Sequence, residues 1–172
     1  MASVASDCPE PGQTRTITDH LITEGNYKIF LSFVAKGDQS TFLSQRMAVL
    51  PAGNGRPQKV VPVRMTAFIP TDEAFAGADT MVENVLKSYE ASNRFVRGLL
   101  ANRSYSSTDL MTMLADTDKV SLKSRRGTEI HLTAHRGSLR LGGISLPSCV
   151  SVANGHVIAV PSLPDTLLSE IK

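Results

Sequence analysis

Apolar residues recur at helical spacing through most of the chain and at every second position after Asp118, so the pattern predicts helices first and strands last. Ile17, Leu21 and Ile22 predict a first helix capped by Thr16 or Thr18 and broken at Gly25-Asn26. Tyr27, Phe30, Leu31 and Val34 predict a second, with Gly37 as its stop. Asp38 or Ser40 opens a short third helix that turns Phe42, Leu43 and Met47 inward. Helical spacing returns in Met81, Val85, Leu86 and Tyr89, and again in Phe95, Val96, Leu99 and Leu100. Ser107-Thr108-Asp109 caps a last helix bearing Leu110, Met113 and Leu114.

Two stretches read as strands. In the middle of the chain, strands near Met47–Leu50 and Val60–Ile69 flank Asn54-Gly55, a dipeptide suited to the tip of a hairpin. Pro51 and Pro62 place that hairpin at an edge, and Asn54, Gly55, Arg56 and Lys59 make it a candidate contact loop. Later, Val120 and Leu122, then Ile130, Leu132 and Ala134, then Leu139 and Leu141 alternate with polar residues. Arg125-Arg126-Gly127 and Arg136-Gly137 are the turns between them, and Asn154-Gly155 turns a last hairpin between Val150-Val152 and Val157-Val160. The order predicts an α+β fold rich in antiparallel sheet.

Between these regions, Pro70-Thr71-Asp72-Glu73-Ala74-Phe75 predicts a helix start, with Thr71 as cap and two carboxylates at the positive end of the helix dipole. Successive helical residues diverge by about 100°, so Asp72 and Glu73 are not placed to share a proton.

At 172 residues the chain has the length of one domain, read as an extended arm over 1–15, a folded domain over 16–164 and a tail over 165–172. A net charge of +2 excludes a dedicated nucleic-acid binder, and an aromatic share of 5 % without tryptophan argues against stacking platforms. The charge is unevenly spread. Met1–Glu24 holds four acids against Arg15, while Lys119–Arg140 holds six bases against Glu129. The basic stretch is either a patch for an anionic polysaccharide or lipid head group, or ordinary solvated strand edges and turns. The uncharged run from Leu141 to Pro164 is interrupted by prolines, Asn154 and Gly155, and does not read as a membrane span.

Candidate chemistry is sparse. His131 and His135 would share a metal on a helix, but on a strand they stand about 13 Å apart. No nucleophile elbow, phosphate loop, zinc motif or dinucleotide fingerprint occurs, so no catalytic residue, metal or cofactor is assigned. Asn102-Arg103-Ser104 fits a glycosylation acceptor. Cys8 and Cys149 are either two free thiols or one bridge, whose loop entropy would stabilise the fold by about 5 kcal/mol.

Thr66-Ala67-Phe68-Ile69-Pro70-Thr71-Asp72-Glu73-Ala74-Phe75 resembles the first signature block of fasciclin-like domains. Ser151–Ile158, with Asn154-Gly155 at its centre and Leu163-Pro164 after it, resembles the second. Phe95–Asn102 resembles the helix before the family's central strands, and the likeness runs from about Thr16 to Pro164. The resemblance implies a wedge-like β-sandwich with flanking helices, in which Thr66, Phe68, Pro70, Thr71, Asp72, Phe75, Asn154 and Gly155 are mainly structural. It further implies an exported protein, secreted or held at a surface or in the periplasm after removal of a signal peptide, and so a Cys8–Cys149 bridge. The implied function is a non-catalytic module for adhesion to a surface, matrix or glycan component. The alternatives are a carrier of a hydrophobic small molecule, or an enzyme built from scattered residues such as Asp72, Arg103, His131 or His156.

Two departures stand out. Animal adhesion members carry a Tyr-His pair where Leu99-Leu100 is here followed by Ala101-Asn102-Arg103. Their acidic recognition segment is replaced by Leu146-Pro147-Ser148-Cys149-Val150, which has no carboxylate.

Overall fold

The computed structural model describes residues 15–50, 53, 55, 57–146 and 149–163. In chain order the first helices are α1 (Ile17–Glu24), α2 (Lys28–Lys36) and α3 (Ser40–Ser44), followed by the strands β1 (Met47–Leu50), β2 (Lys59–Pro62) and β3 (Met65–Pro70). A short 3-10 turn, Asp72–Phe75, leads to α4 (Asp79–Leu86), α5 (Tyr89–Arg97), β4 (Leu100–Ala101) and α6 (Ser107–Leu114). The rest is strand: β5 (Val120–Lys123), β6 (Glu129–His135), β7 (Ser138–Leu141), β8 (Ile144–Ser145), β9 (Cys149–Val152) and β10 (Gly155–Val160). This is the mixed α+β class that the pattern predicts.

The strands form two four-stranded sheets, ordered β4-β3-β10-β9 and β5-β6-β7-β8, and a separate β1-β2 ribbon. Strand β3 is buried along its whole length, so its two faces serve two cores. Met65, Ala67 and Ile69 face the helices, where Phe30, Phe33, Phe75, Val96 and Leu99 complete one cluster. Phe68 points the other way, as do Ile158 and Val160 of β10, and packs with Leu122, Ile130, Leu132, Leu139 and Leu141 of the second sheet. The side-chain period of two thereby makes β3 and β10 the wall between two apolar layers. In the helical layer, Phe33 meets Phe75 and Phe95 edge-on, with ring centroids 5.5 and 5.2 Å apart.

Local chemistry explains most element ends. Thr16 accepts from the Asp19 amide at 3.4 Å, while the Asp19 carboxylate accepts from the Thr16 amide at 3.1 Å, a reciprocal capping box. Gly25 closes α1 in the left-handed region at φ 77°. Ser106, one residue before the predicted Ser107, caps α6 through the same device with Asp109. Gly37 stops α2 with an extended backbone, and its missing side chain serves another purpose: a Cβ there would overlap the Asn93 amide.

Several local expectations are corrected. The strand expected over Val60–Ile69 is two strands, because Val63 donates to the Arg46 carbonyl at 2.8 Å and Met65 to the Asn154 carbonyl at 3.1 Å. The antiparallel pairing of Met47–Leu50 with Lys59–Pro62 forms the expected hairpin, with Asn54-Gly55 at the middle of its 51–58 connection in sequence and Asn54 outside the described residues. Met47, expected inward on a helix, lies exposed on β1. Thr71 makes no side-chain cap, and the helix expected there is only the 3-10 turn. Leu100 has left the helix to pair in β4. Finally, β10 lies parallel to β3, a pairing between distant segments that periodicity cannot reveal.

Candidate functional site

The residues of the two signature blocks converge where β3 and β10 meet the helices and loops. Buried Thr66 donates its hydroxyl proton to the Arg103 carbonyl at 2.7 Å and accepts from the Tyr105 amide at 2.7 Å. Asp72 accepts from the Ile29 amide at 2.8 Å, and its own amide donates to the Asn26 carbonyl. Helix α2 has no side-chain cap from its N-cap residue Tyr27, so Asp72 fills that role from a distant segment. Pro70 pairs with Val160 at the end of the parallel ladder, and the Thr71 amide donates to the Val160 carbonyl at 3.2 Å. Phe68 and Phe75 bury their rings in the two separate cores.

Asn154 is fully buried and uses both ends of its amide. Its oxygen accepts from the Ile17 amide at 2.9 Å, and its nitrogen donates to the Leu43 and Gln45 carbonyls at 2.9 and 3.2 Å. Gly155 adopts φ 147°, and a Cβ there would overlap the Met65 carbonyl. Backbone and side chain thus hold β3, β10, α1 and the end of α3 together at one point.

Two histidines belong to elements of this junction, His20 on α1 and His156 opposite Thr66 on β10, while His131 and His135 stand on β6. His156 Nδ1 and Ser104 Oγ are 2.6 Å apart, and His131 Nδ1 and Ser121 Oγ 2.8 Å apart. His131 and His135 are both exposed on β6, and no group of three or more His, Cys, Asp or Glu able to hold a metal occurs among the described residues. Of the enzyme candidates, Arg103 and His156 lie in one neighbourhood, since Thr66 pairs with His156 and bonds the Arg103 carbonyl, whereas Asp72 caps α2 and His131 stands on β6.

A cavity of about 160 Å³ opens beside the two sheets, lined by Phe68, Leu99, Ile130, Leu141, Gly142 and Gly143. Its walls are mostly apolar. It is smaller than the roughly 300 Å³ that a drug-sized ligand requires and close to the about 150 Å³ that accepts one benzene ring.

Of the candidate contact loop, Gly55 and Lys59 are exposed, while Asn54 and Arg56 lie outside the described residues. The ribbon that carries it exposes Met47 and Val60, the latter at 61 %. Cys149 is buried on β9 and no free cysteine occurs among the described residues; Cys8 lies outside them. Sequence reasoning missed one grouping altogether. Arg94 and Arg97 of α5 line the same cleft as Arg125 and Arg126 of the β5–β6 turn.

The fasciclin domain model matches residues 25–161. The chain belongs to the fasciclin domain family. Its fold is similar to that of a solved FAS1 domain pair from the insect cell adhesion molecule fasciclin I, with a TM-score of 0.64 at 15 % identity. The likeness covers 88 % of this chain and 52 % of that one, so the chain spans about half of the solved pair. No curated protein matches the chain in sequence. The fasciclin match begins after α1, yet Asn154 of the second signature block bonds directly to α1. No helix among the described residues is long and apolar enough to cross a membrane. Domains of this family typically serve adhesion and extracellular contact.

Proposed function

We propose that the chain is an exported fasciclin module, folded over 16–164, that contacts a surface or matrix component without turnover. The observation that carries this reading is the β1-β2 ribbon, which pairs with neither four-stranded sheet and exposes Met47, Val60 and Lys59. Exposed apolar side chains such as Met47 and Val60 on a two-stranded ribbon are a feature that proteins limit unless a partner covers them. The proposed contact residues are Asn54, Gly55, Arg56 and Lys59, of which Gly55 and Lys59 are exposed. By contrast, the polar signature residues Thr66, Asp72 and Asn154 are engaged in internal hydrogen bonds.

The test is a pair of variants, Met47→Ser with Val60→Ser and deletion of 53–58, assayed for adhesion to immobilised matrix and for melting temperature. Lost adhesion at unchanged melting temperature supports the contact role; unchanged adhesion in both variants removes it. Export also favours the Cys8–Cys149 bridge, which would tie the arm to β9. Intact mass after alkylation without reductant reads it directly, and two modified thiols would sink the bridge.

The apolar cavity supports a second reading, a carrier for a small hydrophobic molecule. Its volume restricts the cargo to a single ring or a short alkyl segment. Ile130→Trp, which fills that space, should abolish uptake of such a probe; unaltered uptake would place the cargo elsewhere.

A further inference from the structure

The register of the β1-β2 ribbon sorts its side chains onto two faces. Met47 pairs with Pro62, and Val60 lies two residues from Pro62 on the same strand, so these three share one face, while Ala48 and its partner Val61 share the other. The second face is the anchored one. Ala48 packs against the helical core, Val61 is partly buried, and Val63, just beyond β2, is buried and donates its amide to the Arg46 carbonyl at 2.8 Å. The first face is turned to solvent: Met47 is 47 % exposed, Val60 61 %, and Pro62 is exposed as well.

A base stands at each end of this strand, which reads Lys59-Val60-Val61-Pro62-Val63-Arg64. Lys59 and Arg64 are exposed, and neither forms an ion pair among the described residues. No carboxylate occurs in the sequence between Asp38 and Asp72, so nothing on the ribbon repels an anionic surface. The apolar face offers no strong hydrogen-bonding group with which to read a sugar or a peptide. Strand addition is also impeded. Since Val63 donates towards β1, Pro62 has its backbone on the outer edge of β2, where the missing N–H interrupts the row of donors. A second copy of the ribbon would set Lys59 and Arg64 against like charges.

We propose that this face docks on an anionic phospholipid bilayer. Met47, Val60 and Pro62 enter the boundary between headgroups and acyl chains, and Lys59 and Arg64 lie among the phosphates on either side, their apolar stems following the strand. The inference deepens the contact reading above: it rests on the ribbon as the contact element and names the surface. Apolar side chains flanked by bases suit such a boundary, because transfer out of water favours the first and the surface potential attracts the second. The ribbon pairs with neither four-stranded sheet, so it reaches that depth without parting either core. The docking is peripheral.

The test is co-sedimentation of the full chain with vesicles of equimolar phosphatidylcholine and phosphatidylglycerol, and with vesicles of phosphatidylcholine alone. The mixed vesicles should bind the chain at least about tenfold more tightly than the neutral ones, and added salt should weaken that binding. Met47→Ser with Val60→Ser, and separately Lys59→Gln with Arg64→Gln, should each lower partitioning about tenfold. Lys59→Arg with Arg64→Lys keeps the charge and should bind as the unchanged chain does. Lys119→Gln with Lys123→Gln removes equal charge from β5 and its approach, and should change binding less than about twofold. The chain has no tryptophan, so Val60→Trp places a single reporter on the docking face. Its emission should shift to the blue on mixed vesicles and be quenched by brominated acyl chains. Melting temperatures confirm that each variant folds.

Equal binding to both kinds of vesicle would overturn the proposal, as would equal losses in the Lys59–Arg64 and Lys119–Lys123 variants. So would tryptophan emission that stays unshifted on bound vesicles, or tighter binding of soluble polyglutamate, which would make the partner an acidic polypeptide. A concentration-dependent dimer that is lost in the Met47–Val60 variant, read by sedimentation velocity, would assign the face to a second copy. Matrix adhesion separates this partner from the contact reading beneath it. Adhesion lost in that variant of a protein that ignores both kinds of vesicle overturns the lipid surface and leaves the contact module standing. Vesicle binding with no matrix adhesion does the reverse.

Discussion

The Asn154 carboxamide oxygen accepts the backbone proton of Ile17 across 137 positions of sequence, at 2.9 Å. The same side chain donates to the Leu43 and Gln45 carbonyls, so one buried amide anchors the first helix and the exit from the third. The amide reinforces segments that also share apolar packing through Ile17, Leu21 and Leu43, and its loss leaves three backbone groups unsatisfied.

Asn154→Ala should therefore destabilise the protein by about 3 kcal/mol or more, the sum of lost hydrogen bonds and stranded backbone groups. Urea denaturation reads the loss, and limited trypsin digestion should show earlier cleavage at Arg15, beside α1. A loss below about 1 kcal/mol would mean that water replaces the amide.

Gly155 predicts a different failure. Gly155→Ala meets both an unfavourable φ of 147° and overlap with the Met65 carbonyl on the adjacent parallel strand. Gly143 also has positive φ, 86°, but nothing lies within 4 Å of its position. Gly143→Ala should cost about 1 kcal/mol, the strain alone, and Gly155→Ala about 3 kcal/mol or more, up to failure to fold. Similar melting temperatures for both variants would show that the strands separate to admit the methyl group.

Asp72 caps α2 from outside the helix. Asp72→Ala should cost about 1–2 kcal/mol, and Asp72→Asn about half as much, because the amide oxygen still accepts from Ile29 while the favourable charge at the helix N-terminus is lost. Chemical denaturation ranks the three proteins. An asparagine variant as weak as the alanine variant would assign the whole effect to charge.

His20 makes stability depend on pH. The ring is buried beside Tyr27 at a centroid distance of 6.4 Å, and its Nδ1 has no hydrogen-bond partner among the described residues. Burial lowers its pKa from 6.5, against an opposing pull from Glu24 and with a smaller lowering contribution from Arg15. Above 6.5 the ring is neutral both folded and unfolded. As pH falls through 6.5 the unfolded chain takes up a proton that the folded chain refuses, so stability declines until the folded pKa is passed. His20→Leu should flatten the fall in melting temperature between about pH 7 and pH 5. An unchanged slope would assign the pH dependence to other groups.

How far the sequence could be read differs by element. Thr16 with Asp19, and the Ser106–Asp109 box one residue from its expected place, are local devices: donor and acceptor lie within one helical turn, and spacing reveals them. The alternation after Asp118 likewise marks β5, β6 and β7, whose buried and exposed positions follow the period of two except at the end of β6, where Ala134, expected inward, is exposed. Thr71 misled because the same residues that suit a cap also suit a strand leading into a 3-10 turn. Its neighbour Asp72 capped a different helix instead. Asn54-Gly55 marked the middle of the β1–β2 connection correctly, since turn-favouring residues and flanking apolar runs are both local signals.

The sequence by itself determined the α+β class, the periodicity of both cores and the fasciclin signature, since these depend on residues near one another along the chain. Only the tertiary structure decided the parallel β3–β10 pair, the reach of Asn154 to Ile17 and the meeting of Arg94 and Arg97 with Arg125 and Arg126. Each joins segments distant in sequence, and no local propensity encodes which of many possible long-range contacts closes the fold. The basic stretch from Lys119 to Arg140 shows the difference most plainly. On β5 and β6, Lys123 stands opposite Glu129, while the turn between those strands delivers Arg125 and Arg126 to a cleft whose other wall is a helix.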